Sequence, residues 1–268
     1  ILYAVKQNGL LLEYFQFINN DYQIVLTAVK QNGEAIQFTN EQLQNDRQLV
    51  LTAVQTSASA LQYASQDLQN DYNFILEAVR QNGLALIYAP ELQNDPEIVF
   101  TAVQQNGLVL KLASDTLRKD RDIVLAAVRS NGRALQVAEQ FQNDRQIVLT
   151  AVQTSASALE FASQDLRNDN NFLIDALLRN SLALQFASEE LQDDRDIVLD
   201  AVRQNGLALQ FASEELQDDR DIVFIAVEED GLALEFLSPE YQNDPNIVFI
   251  AVRQNGLALQ FASEELQD

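Results

Sequence analysis

The chain reads as an all-α protein, an α-solenoid of about eleven two-helix repeats of 24–25 residues. Three observations predict this. A helix-stop position recurs at Gly9, Gly33, Ala58, Gly83, Gly107, Gly132, Ala156, Ser181, Gly206, Gly231 and Gly256, always 24 or 25 residues apart. All eight glycines of the protein fall on that one register. Alanine stands five residues before it in every repeat, from Ala4 to Ala251. A unit of this length cannot bury its apolar face alone and is stabilised by stacking on its neighbours.

The repeat from Asp95 shows how each element is specified. The Asp95 carboxylate is placed to accept from the free N–H groups of a first helical turn, and Pro96 occupies the first helical position, where proline is tolerated. Ile98, Val99, Ala102 and Val103 then share one helical face. Asn106-Gly107 ends this helix, and the glycine is expected to do so in the left-handed conformation, which costs it no side-chain clash. A short second helix follows, such as 207–212. Only its fourth position after the stop is regularly polar (Gln37, Gln62, Lys111, Gln136, Gln210), so it is expected to be buried nearly all round. Ser238-Pro239-Glu240-Tyr241 marks a capped single turn after it, because the residue before a proline is driven out of helix. The aromatic column five after the stop (Tyr14, Phe38, Tyr63, Tyr88, Phe161, Phe186, Phe211, Phe236, Phe261) is read as core rather than as the lining of a ligand groove.

The pattern Asp194 to Leu216, and the recurring Ala-Val-x-Gln-Asn-Gly-x-Ala-Leu within it, resembles the repeats of domain-of-unknown-function family 4116. The resemblance covers the whole chain and departs at Thr56-Ser57-Ala58, Thr154-Ser155-Ala156 and Asn180-Ser181, where the Asn-Gly stop is lost. It implies a helical array and carries over no activity and no site residues.

Composition narrows the chemistry. Cysteine and histidine are absent, so thiolate metal sites and the common nucleophile–base triads are excluded. The lysines Lys6, Lys30, Lys111 and Lys119 sit on outward registers, and no glycine stands where a phosphate loop needs one. With 40 acids against 17 bases the formal charge is −23, a surface that repels nucleic acid and anionic membranes. The basic row Lys30, Arg80, Arg129, Arg203 and Arg253 answers helix dipoles rather than forming a nucleic-acid track. Acid pairs recur at one edge, including Asp193-Asp194, Asp218-Asp219, Glu189-Glu190, Glu214-Glu215 and Glu264-Glu265. Their simplest role is in helix caps and first turns, answered by Arg195 or Arg220. Calcium binding through oxygen is the competing reading.

Two further features stand out. Residues 50–61 and 148–159 are the same twelve letters, read as duplication of a four-unit block, with a paired lateral binding site as the sharper reading. On an outward register, Ile225 and Ile250 beside Phe224 and Phe249 form an apolar stretch that marks a candidate partner contact. Residues 1–268 are read as one continuous array and a segment of a longer one, since Ile1 matches Val25 within a first helix and Asp268 matches Asp218 just before the next helix start. The functional expectation is a non-catalytic structural or protein-binding scaffold, extended or filament-forming. No catalytic, cofactor or metal residues are assigned, and no cofactor, nucleic acid or membrane insertion is expected. The partner is a protein, a second copy stacked head to tail included. A calcium-stabilised acidic array and an enzyme are the alternatives.

Overall fold

In the computed structural model, which describes residues 1–267 (of Gln16 the backbone alone), each repeat begins with a long α-helix. From the second repeat on, that helix has ten residues, from Tyr22–Gln31 to Pro245–Gln254. An aspartate caps each of these ten helices and accepts from N–H groups of its own first turn, as Asp46 does from Leu49 and Asp95 from Ile98. Helices this short are marginal alone. Their packed faces hold them, with Val25, Ala28 and Val29 in one repeat and Ile98, Val99, Ala102 and Val103 in another fully buried. Burying each such branched side chain contributes about 1.5–3 kcal/mol.

The second element is a six-residue 3₁₀-helix, such as Gly33–Phe38 or Gly206–Phe211. Runs of this length are uncommon because 3₁₀ hydrogen bonds are poorly aligned, and side chains at both ends compensate. At the start, Asn32 and Asn205 accept on Oδ1 from the N–H two residues on, while their own N–H groups donate to Ala28 and Ala201 of the preceding α-helix. One asparagine thus closes the α-helix and opens the 3₁₀-helix. At the end, the orphan carbonyls accept from a glutamine of the following turn. Gln44 Nε2 donates to Ile36 and Thr39, and Gln217 Nε2 to Gln210 and Ala212. The turn, Glu41–Gln44 or Pro239–Gln242, completes the repeat. Its first residue links to the turn before it through Ser65 N–H to the Gln44 carbonyl at 2.9 Å, and through Ser163 N–H to the Gln142 carbonyl at 2.7 Å.

Among the described residues there are eleven such long-helix and 3₁₀ pairs and no strand, so the chain is an all-α repeat array. Residues 1–138 and 139–268 form two units, each with its own run of stacked repeats. The Asp268 register match lies outside the described residues.

Three expectations are corrected. The stop glycines are not left-handed, since no described residue has a positive φ. The helix ends because the asparagine before the glycine is extended, with φ near −150° and ψ of 113° at Asn32. Glycine is needed for a different reason: a Cβ on Gly33, Gly107, Gly206 or Gly231 would overlap the carbonyl oxygen of Ala53, Ala127, Ala226 or Ala251 in the next repeat. The 3₁₀-helix is not buried all round, for Leu84, Ile87 and Leu108 are 40–44% exposed. Nor is the aromatic column core: Tyr14 and Phe236 are exposed and the others half-buried. From Phe38 on they sit at the last 3₁₀ position, where the chain leaves the packed layer, while Ala35 and Ile36 or Ala208 and Leu209 fill the interior.

At Ala58 and Ala156 the stop residue carries a Cβ and is only partly buried, whereas Ser181, the third stop residue with a side chain, is buried. Ser57 keeps the extended cap, φ −148° and ψ 117°, so Ala58 is neither left-handed nor inside a continuous helix. Gly206→Ala is therefore expected to destabilise by about 1–3 kcal/mol through overpacking. Gly256→Ala, with nothing within 4 Å of the added carbon, should change stability by less than about 1 kcal/mol. Ala58→Gly should lower it by roughly 0.5–1 kcal/mol, the backbone-entropy cost alone. Urea midpoints of the three variants check this.

Candidate interaction surfaces

The capping aspartates Asp71, Asp169, Asp219 and Asp244 have two jobs, one for each carboxylate oxygen. Asp71 Oδ1 accepts from the Phe74 N–H of its own helix, while Oδ2 takes Arg47 Nη1 of the previous repeat at 3.0 Å. Arg47 also reaches Glu77 at 3.0 Å, and its guanidinium lies 5.2 Å from the centroid of the buried Phe74 ring. The second unit repeats this arrangement with Arg145, Asp169, Asp175 and Phe172, at 3.0, 2.9 and 5.2 Å. Arg195 pairs with Asp219 and Asp221, and Arg220 with Asp244. Where tyrosine replaces arginine, the Tyr72 hydroxyl donates toward Glu97 at 3.1 Å and Asp95 at 3.3 Å. The expectation that Arg195 and Arg220 answer the acidic edge is met, with the partner in each case one repeat further on. The sequence signal was an arginine directly after one Asp cap and a second Asp cap 24 residues from that arginine.

These contacts shift the groups involved. The Phe74 N–H, then Arg47, holds Asp71 below the usual carboxylate range, and the Phe172 N–H and Arg145 do the same for Asp169. At Asp219, burial acts in the opposite direction and is outweighed by Arg195 and the N–H groups of Ile222 and Asp221. Partial burial and the bonds to Glu97 push the Tyr72 hydroxyl up to about 12.

Among the described residues, no group of three or more acidic side chains is arranged to hold a metal ion. The edge acids Glu189, Glu190, Asp193 and Glu215 line an open concavity of about 570 Å³. Asp218, farther along that edge, accepts from the Ser238 hydroxyl. The duplicated segments differ in detail. Ser57 pairs with Ser59 and Ser155 with Ser157, and the first pair continues to Glu34 Oε1 at 2.6 Å.

Phe224 and Ile225 lie on helix Arg220–Glu229, and Phe249 and Ile250 on its packed neighbour Pro245–Gln254. The structure brings the four residues onto two adjacent helices in matching registers. The rings point outward, Phe224 44% and Phe249 65% exposed, whereas Ile225 and Ile250 are half-buried. On the same register Leu51, Leu76 and Leu149 are buried, Leu26, Leu125 and Leu199 half-buried, and Phe100 is 36% exposed, so Phe224 and Phe249 are more exposed than all of these. Asp221 and Glu228 flank one ring on the outer stripe, and Asn246 and Arg253 the other.

The family model described as Domain of unknown function (DUF4116) matches residues 1–44, 46–93, 95–142, 136–167, 144–192, 169–217 and 219–267. The chain belongs to the DUF4116 family. Six of the seven matches, all but 136–167, span close to two of the structural repeats, so the DUF4116 unit corresponds to a pair of stacked helix–3₁₀–turn modules. No curated protein and no solved structure matches the chain. No described helix is long and apolar enough to cross a membrane.

The pKa shifts set the sign of the pH response. Asp71, Asp169 and Asp219 are lower in the folded than in the unfolded chain, so their contribution is present above the ordinary carboxylate pKa of about 4 and is lost as pH falls below it. The urea midpoint should drop through that window, and less steeply in Arg145→Gln. Tyr72 is raised, so its contribution is complete below about pH 10 and lost as pH rises toward 12. Tyr72→Phe should flatten the alkaline limb of the same titration.

Proposed function

We propose that this DUF4116 array is a non-catalytic scaffold that binds a protein partner through the outer face of helices 220–229 and 245–254. The observation that carries the reading is the pair of exposed rings, Phe224 and Phe249, on neighbouring helices. An exposed aromatic pair with a charged and polar surround has the make-up of a protein contact, where aromatic anchors dominate the energy. The recurrent polar side chains support a role without catalysis. The aspartates, the Asn-Gly asparagines, the turn glutamines and Arg47, Arg145, Arg195 and Arg220 are engaged in caps and bridges between repeats. The partner is a protein with an apolar anchor site, a second copy of the chain among the candidates.

A photo-crosslinking residue placed at 249 tests this in the source cell extract and with the purified chain. The expected result is a discrete, competable adduct. Its mass separates self-association, at twice the chain mass, from another partner. Phe224→Ser with Phe249→Ser should abolish competition while changing stability by less than about 1 kcal/mol. Absence of a discrete adduct from 249, together with saturable micromolar calcium binding in calorimetry, would replace the scaffold reading with that of a calcium-stabilised array.

A further inference from the structure

Three consecutive 3₁₀-helices, Gly83–Tyr88, Gly107–Leu112 and Gly132–Val137, stack on one another within residues 1–138. A 3₁₀-helix has three residues per turn, so side chains three apart stand one above the other. The first and fourth positions after the stop therefore share a face. In these repeats that face carries Leu84 and Ile87, then Leu108 and Lys111, then Arg133 and Gln136, and all of them are exposed. Its apolar half is open to solvent, with Leu84 at 40%, Ile87 at 44% and Leu108 at 42%. On the side of the preceding repeat it is bordered by Ser59 and Gln62.

This face departs from the rest of the array. The fourth position is glutamate or glutamine in nine of the eleven repeats, and Ile87 and Lys111 are the exceptions. Arg133 is the only base at the first position. The local charge also reverses. Residues 111–133 hold six bases against three acids, in a chain of net charge −23. Arg118 is answered by Asp115. Among the described residues, neither Lys111 nor Arg133 bridges to an acid, unlike Arg47 or Arg145. Two bases without a structural task thus stand at the end of an aliphatic strip.

We infer that this strip docks an acidic–apolar segment of another protein. Apolar side chains of the segment seat on Leu84, Ile87 and Leu108, and carboxylates farther along it meet Lys111 and Arg133. Charge selects this occupant. Most of the surface repels an acidic partner, so one reaches the chain best where bases gather. The bases lie at one end only, which fixes the direction of the segment. Aliphatic side chains offer nucleobases no ring to stack on, which favours protein over nucleic acid. Neighbouring repeats stand about 8–10 Å apart, so two steps are spanned by about five or six extended residues. The residues are different from those of the ring pair on helices 220–229 and 245–254, so the two surfaces can be tested apart.

The test pans a random-peptide phage library on the purified chain. Enriched peptides should place apolar residues on one side of Asp or Glu. The strongest, synthesised with a fluorophore, should bind in an anisotropy titration and weaken as salt rises. The variants use residues that other repeats carry on the same registers, so the fold tolerates them. Leu84→Ser, Ile87→Gln and Leu108→Ser together copy Ser59, Gln62 and Ser157, and should weaken binding at least about tenfold. Lys111→Glu with Arg133→Glu copies Glu160 and Glu34, and should weaken it about tenfold and flatten its salt dependence. Phe224→Ser with Phe249→Ser should leave the peptide affinity unchanged. No enrichment, enrichment of basic peptides, or binding indifferent to the strip variants would overturn the inference. So would a single-stranded oligonucleotide that competes for the strip, or a dimer in sedimentation that Ile87→Gln dissociates, which would give the face to nucleic acid or to a second copy.

Discussion

The closest contact in each glycine step sets the rest of the repeat. A stop residue without a side chain lets the 3₁₀-helix of one repeat press on the main chain of the next, against the alanine carbonyl at Ala53, Ala127, Ala226 or Ala251. That carbonyl belongs to the alanine five before the next stop, so the two invariant small residues are two sides of one approach. A larger residue at either would push the layers apart, and close-packed interiors respond to a single added methyl group. Where the stop carries a side chain it stays small, as at Ala58, Ala156 and Ser181. The constraint also accounts for the extended asparagine, which turns the chain sharply enough to bring glycine onto the neighbouring helix.

Polar groups then lock the layers in register. Each links adjacent repeats while completing a local structure: aspartate caps its helix and receives an arginine, and the turn serine N–H meets the preceding turn's carbonyl. The ion pairs are largely solvent-exposed, so each contributes little by itself. Their value lies in repetition and in direction, since the bridges from Arg47, Arg145, Arg195 and Arg220 all run from one repeat to the next. Tyr72 preserves the link without a positive charge. In a chain of net charge −23, arginine placed between two acids also relieves repulsion along that edge.

This arrangement explains why the informative surface is small. Side chains fixed by stacking recur in every copy, and the outward registers are where copies differ. Phe224 and Phe249 stand out there because they are more exposed than the buried or half-buried leucines on the same register in other repeats.

By itself the sequence determined the repeat length, the all-α class, the aspartate caps, the buried alanine–valine face and the outward register bearing Phe224 and Phe249. These are local or periodic properties, and helix periodicity and capping chemistry act over a few residues. Only the tertiary structure decided why glycine holds the stop in eight of the eleven repeats. Its φ is ordinary, and the reason is a carbonyl about 20 residues away in another repeat. The tertiary structure also decided that the second helix is 3₁₀, which depends on side chains at both of its ends accepting and donating in turn. It placed the aromatic column at the rim rather than in the core, because alanine and leucine from the same short helix already fill the space between the layers.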